Sequence, residues 1–132
     1  MIVVFDTNVL ISSTLWHGSV AQKLLFNLIR KEVKIFTSKA ILSEYQKVLK
    51  RDFDYSDEEI VSLMEKILSF ATLVEPEIKV NVIKDDPEDN KVIECAIESS
   101  ATFIITYDNH LLKLQNYKGI KIIKPEEIIN TL

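Results

Sequence analysis

The sequence predicts an α/β fold with a mostly parallel central sheet. Short apolar runs such as Ile2–Phe5 and Phe103–Thr106 stop abruptly at polar residues, as strands buried on both faces do. Longer segments between them carry apolar residues three and four apart, the helical period. The two kinds of segment alternate along the chain, the order that joins parallel strands through helices.

Taken in order, Ile2–Phe5 is the first strand and ends at Asp6. Val9, Leu10 and Ile11 begin a short helix or turn. Ser19 caps a helix whose stripe is Val20, Leu24 and Leu28, with Ala21, Leu25 and Ile29 beside it. Lys34–Thr37 is a short strand, and Ser38 caps a helix with Ile41, Leu42, Tyr45, Val48 and Leu49 inward. Ser56-Asp57-Glu58-Glu59 is a capping box, opening a helix that carries Ile60, Leu63, Met64, Ile67 and Leu68. Ala71–Val74 suits a strand, and Val80–Asp86 a strand end or loop. Asp86-Pro87-Glu88-Asp89 is composed as a helix start: a capping aspartate, proline at the first helical position, then acids in the first turn. That helix continues through Val92, Ile93, Ala96 and Ile97. Phe103–Thr106 is a buried strand, and Asp108 caps a short helix through Leu111, Leu112 and Leu114. Ile120–Ile123 is the last strand, and Pro125 starts a terminal helix with Ile128 and Ile129.

Composition narrows the function classes. A chain of 132 residues suits a single domain, 1–132, with an ordinary core. No stretch is long and apolar enough for a bilayer span, and the apolar N-terminus lacks a basic leader and is broken by Asp6. A cytoplasmic location is therefore expected. The single cysteine, Cys95, excludes an intrachain disulfide and a cysteine-based zinc knuckle. Glycine occurs only at Gly18 and Gly119, too few for a P-loop or a dinucleotide fingerprint. The net charge of −4 argues against nucleic-acid binding by bulk positive charge. Its distribution is uneven, however. Lys23, Arg30, Lys31, Lys34, Lys39, Lys47, Lys50 and Arg51 are opposed in their segment only by Glu32 and Glu44, which fits either a basic face or a solvated helix surface.

Asp6 ends the first strand and Asp108 follows Phe103–Thr106. In open parallel sheets, ligands bind beyond the carboxyl ends of strands, where the strand order reverses. If the two strands are neighbours there, Asp6 and Asp108 face one cleft. Glu44 lies one helical turn from both Ile41 and Val48, at the edge of an apolar face that rarely carries glutamate. Asp89 lies in a first helical turn, on the side of Val92 and Ile93. Singly, each has a plainer explanation. Asp6 and Asp108 can be helix caps, Asp89 the acid of the capping box begun by Asp86, and Glu44 a surface partner of Lys47 or Lys39. Asp86 and the remaining acids fit caps and surface charge. Together, four carboxylates in one cleft repel one another and raise each other's pKa unless a cation fills the site. An oxygen-only ligand set favours Mg²⁺ or Mn²⁺ over zinc. Such an ion accepts phosphate oxygens and acidifies a bound water, the chemistry of nucleases and phosphatases.

Several ordered motifs resemble the PIN-domain family. They are an apolar strand then Asp6-Thr7-Asn8, Ser43-Glu44-Tyr45 within a helix, Asp86-Pro87-Glu88-Asp89-Asn90 opening a helix that reaches Cys95-Ala96, and Ile104-Ile105-Thr106-Tyr107-Asp108 before His110-Leu111-Leu112. The likeness spans nearly the whole chain, and its prokaryotic toxin branch, the VapC-like ribonucleases, is the most similar. The resemblance implies a three-layer α/β/α sandwich and an endoribonuclease dependent on Mg²⁺ or Mn²⁺. It also implies RNA as substrate, an antitoxin protein as partner, and a homodimer. It carries the four family acids onto Asp6, Glu44, Asp89 and Asp108, as metal-holding and catalytic residues. Asn8 and Thr106 match polar positions that support the acids. Asp86 competes with Asp89 for the third place, and Asn90 and Ala96 favour Asp89 by spacing. Tyr107 stands where the family often has a small or basic residue.

Other readings are weaker. A haloacid-dehalogenase-type phosphatase requires an aspartate where Asn8 stands, and a receiver domain requires an acidic pair and a late lysine that Thr106-Tyr107-Asp108 does not supply. A non-catalytic PIN module that binds RNA or protein is the alternative from another class. His17 and His110 lie in no metal-binding spacing and are expected in loops or on the surface. Trp16 and Tyr107 suit either base stacking or packing, and Cys95 an inert position on a packed helix.

Overall fold

The computed structural model describes residues 1–132. Its centre is a six-stranded sheet of β1 (Ile2–Phe5), β2 (Lys34–Ser38), β3 (Ala71–Val74), β4 (Phe103–Ile105), β5 (Asn116–Tyr117) and β6 (Ile120–Ile123). The spatial order is β3-β2-β1-β4-β6-β5, parallel throughout except for β5, which pairs antiparallel with β6. Neither β5 nor its hairpin was predicted: two residues are too few to show a period. Val3, Val4, Phe5, Ile104 and Ile105 are fully buried, so the continuous apolar runs do mark strands covered on both faces.

The helices are α1 (Thr7–Leu15), α2 (Val20–Arg30), α3 (Lys39–Phe53), α4 (Asp57–Phe70), α5 (Asn90–Ser99), α6 (Asn109–Leu112) and α7 (Pro125–Ile128). From β1 to β3 the chain steps outward in one direction; from β3 to β4 it returns across β1. Right-handed crossovers therefore put α1–α4 on one face and α5 on the other. Consistently, α5 packs on β1, β2, β3 and β4, while α1 packs on α2 and α3. The result is the expected α/β/α sandwich. No helix is long and apolar enough to cross a membrane.

The predicted caps are present at Ser19, Ser38 and Ser56, whose hydroxyls accept backbone N–H groups of Gln22, Ile41 and Glu59. The start of α5 differs from expectation. Asp86 makes no side-chain cap, Pro87–Asp89 is a single 3₁₀ turn, and Asp89 is not the acid of a capping box. What organises this region is a polar ridge along α5 at a spacing of four. Asn90 Oδ1 accepts the N–H groups of Val82 and Ile83, each at 2.9 Å. Glu94 Oε2 accepts that of Val80 at 2.9 Å, and Glu98 Oε1 that of Glu77 at 3.0 Å. The ridge stands in for a neighbouring strand and satisfies backbone donors of the irregular segment before α5. Asn90, Glu94 and Glu98 had a legible signal, since three polar residues four apart mark one helix face.

Candidate metal centre

The first strand pair positions the first two acids. Phe5 is in register with Ile105, and the Asp6 N–H donates to Ile105 O at 3.0 Å. Strand order reverses between β1 and β4, so Asp6 and Asp108 do flank the crevice that open parallel sheets offer to ligands. Both are also helix caps. Asp6 Oδ1 accepts Thr7 N–H at 2.7 Å, and Asp108 Oδ1 accepts His110 N–H at 2.7 Å. The cap and the site are the same residue, because a cap fixes a carboxylate at the sheet end while engaging only one of its oxygens.

Thr106 joins the pair. Its hydroxyl donates to Asp6 Oδ2 at 2.7 Å and accepts the Asp108 N–H at 2.9 Å. Asn8 lies alongside, with Nδ2 at 3.5 Å from Asp6 Oδ2 and Oδ1 accepting Tyr107 N–H at 3.3 Å. Thr106 and Asn8 thus both contact Asp6 and the turn that leads to Asp108. Burial pushes the Asp6 carboxyl up to about 6 against the pull of the Thr106 and Thr7 hydrogen bonds, with Glu44 and Asp108 adding negative charge.

Asp89 comes from the far side of the crevice. It is 8% exposed, and its Oδ2 is buried with no hydrogen-bond partner. Burial first, then the charges of Asp108, Asp6 and Asp86, push its carboxyl up to about 8. Asp86 and His110 complete the group: one donor atom from each of Asp86, Asp89, Asp108 and His110 lies within 4.8 Å of the others. Asp86, expected as a cap, and His110, expected as a peripheral residue, therefore both belong here. The turn that carries Asp108 also brings round the residue two positions later, a spacing that was present in the sequence.

Glu44 stands apart from that group. Its partner is neither Lys47 nor Lys39 but Lys91 on α5, whose Nζ donates to Glu44 Oε1 at 2.8 Å and to Glu88 Oε2 at 3.2 Å. Burial raises the Glu44 carboxyl, but hydrogen bonding, first from Lys91, and the positive charges of Lys91 and Lys47 together outweigh it and hold Glu44 below its ordinary value. Beside this pair, Lys47, Arg51 and Lys91 line a groove of about 400 Å³ along α3, together with Glu44 and Glu88. The basic run is partly a lined groove and partly surface, since Lys50 pairs with exposed Asp57 and Arg51 with Asp52. Cys95 is fully buried and burial pushes its thiol up to about 12, an inert position. Trp16 is exposed, and Tyr107 is half-buried with its hydroxyl donating to Glu126.

A buried carboxylate oxygen without a partner, ringed by like charges, is costly unless a cation satisfies it. The donor set fits a divalent ion, with Asp89 and Asp108 in the group and Asp6 one hydroxyl away. The sequence profile of the PIN domain matches residues 2–110. The chain belongs to the PIN-domain family. Among solved structures, this PIN chain is similar to one in the crystal structure of VapBC2 from Rickettsia felis bound to a DNA fragment from their promoter. The TM-score is 0.68 at 18% identity, over 92% of this chain and 97% of the other. At that identity the similarity concerns the fold. No curated protein matches the sequence significantly.

Proposed function

We propose that this PIN-domain protein is a metal-dependent endoribonuclease that hydrolyses RNA phosphodiester bonds, with Mg²⁺ or Mn²⁺ as cofactor. The observation that carries the reading is Asp89: a buried carboxylate with an unpartnered oxygen, facing Asp108 at the switch point of a PIN sheet. Asp6, Asp89 and Asp108 would hold the ion. A bound divalent cation supplies neutralisation of phosphate oxygens and a water acidified toward hydroxide. Thr106 and the Thr7 N–H hold Asp6 in one orientation, and Asn8 steadies the turn at Tyr107. Glu44, an ionised carboxylate paired with Lys91, is suited to orient the attacking water as a hydrogen-bond acceptor. A role as the toxin of a toxin–antitoxin pair, inhibited by an antitoxin protein, is supported by the shared fold with a chain of VapBC2.

The test is cleavage of end-labelled RNA and of single-stranded DNA of the same sequence. Both metals are supplied, with EDTA and Asp6→Asn as controls. Internal cleavage of RNA that needs the metal and Asp6 is expected. Cleavage that persists in EDTA and in Asp6→Asn would sink the reading.

A further inference from the structure

We propose that His110 Nδ1 is a direct ligand of the bound ion, which makes the centre a mixed carboxylate–imidazole site that favours transition ions such as Mn²⁺ over Mg²⁺. The inference rests on the metal dependence proposed above and revises the oxygen-only ligand set expected from sequence.

The geometry of the Asp108 turn carries it. The His110 N–H closes onto Asp108 Oδ1 at 2.7 Å, which holds the imidazole on the side of the Asp108 carboxylate. His110 Nδ1 lies 3.5 Å from Asp108 Oδ1 and 3.9 Å from Asp89 Oδ2. Both are too long for good hydrogen bonds, so the ring nitrogen faces the carboxylates without being bonded to either. Ligands at 2.0–2.1 Å from an octahedral ion stand about 3 Å apart when adjacent and about 4.2 Å apart across it. The donors of Asp86, Asp89, Asp108 and His110, all within 4.8 Å of one another, are spaced as ligands would be with small adjustments.

A second observation is independent of that clustering. Asp89 Oδ2, the atom His110 Nδ1 approaches, is the buried oxygen without a partner. An imidazolium hydrogen bond would have satisfied it, and the structure does not make one. An ion between Nδ1 and Oδ2 satisfies both. Mg²⁺ prefers oxygen ligands, whereas imidazole suits first-row transition ions, so one nitrogen ligand shifts preference toward the latter.

The experiment reads binding without substrate. Protein stripped with EDTA and exchanged into chelator-free buffer is titrated with MnCl₂ and with MgCl₂ by calorimetry. The Mn²⁺-loaded protein is then examined by pulsed electron paramagnetic resonance for modulation from a directly bound imidazole nitrogen. The sequence has two histidines, so His17→Gln is the control and the signal has one assignment. Wild type and His17→Gln are expected to show the nitrogen modulation. His110→Asn and His110→Ala should lose it, with Mn²⁺ affinity falling about 10-fold or more and Mg²⁺ affinity changing less. His110 is 41% exposed at its side chain, and unchanged circular dichroism would establish that the variants fold. Mn²⁺ binding without nitrogen modulation, or a Mn²⁺/Mg²⁺ ratio unaltered in both His110 variants, overturns the proposal and leaves a carboxylate-only site. Failure of wild type to bind either ion overturns the metal-dependent reading as well.

Discussion

Thr106 donates its hydroxyl hydrogen to Asp6 Oδ2 at 2.7 Å, linking two residues that lie 100 positions apart. The Thr106 hydroxyl oxygen in turn accepts the Asp108 N–H, so one fully buried side chain sets the orientation of one acid and the backbone of another. Removing the hydroxyl while keeping the shape, in Thr106→Val, is expected to cost about 1–3 kcal/mol, because a buried N–H and a buried carboxylate each lose a partner. Metal affinity should fall roughly 10- to 100-fold. Thr106→Ser retains the hydroxyl and should retain most of that affinity. Urea unfolding and metal titration of the pair check this; equal metal affinity in both variants would show that the hydroxyl does not position the site.

Stability of the metal-free protein should fall as pH rises. Asp89 is pushed up to about 8 and Asp6 to about 6, each from an ordinary 3.8. The native state therefore holds protons that the unfolded chain has released. Their contribution is complete below 3.8, fades through about 6 for Asp6, and is lost through about 8 for Asp89. Melting temperatures in EDTA across this range are expected to decline, and Asp89→Asn should flatten the upper part of the curve. Saturating Mn²⁺ should reverse the trend, since binding the ion releases the protons. A metal-free protein whose melting temperature rises between pH 6 and 8 would contradict these shifts.

Lys91→Met should destabilise the protein by about 1–2 kcal/mol. Lys91 is 12% exposed and Glu44 32%, so the pair lies between an exposed bridge and a fully buried one. The variant leaves Glu44 half-buried without its partner, and its carboxyl should rise. Adding Glu44→Gln to Lys91→Met should recover part of the loss, because no uncompensated charge remains. A double-mutant cycle by urea unfolding measures the coupling, and strict additivity would mean the pair contributes nothing.

Asn90→Ala tests the polar ridge. The Asn90 side chain accepts from Val82 and Ile83 and donates to Ile83 O at 2.9 Å and Pro87 O at 3.0 Å. Its loss strands several buried backbone groups, at a cost of about 2–4 kcal/mol. Amide exchange at Val82 and Ile83 should accelerate, and metal affinity should fall because the same segment carries Asp86 and Asp89. Slow exchange at both amides in the variant would argue that other contacts hold the segment.

The strands, most caps and the places of Asp6 and Asp108 were legible in the sequence, because strand ends and helix caps are local patterns. An apolar run that halts at aspartate states both the strand and where its carboxylate emerges. Asn8 and Thr106 followed from the same strand ends once the family resemblance was drawn. The sheet order was not local, and only the pairing of β1 with β4 brought Asp6 to Asp108. The far side of the centre depended on tertiary structure altogether. Asp86 and Asp89 owe their places to a 3₁₀ turn and an irregular segment held by Asn90, Glu94 and Glu98. Glu44 finds its ion-pair partner in Lys91, 47 positions away. His110 became part of the centre only when the Asp108 turn closed opposite Asp89. Carboxylates and imidazoles act through distance and burial, and those are set when separate elements pack, not by the residues beside them in the chain.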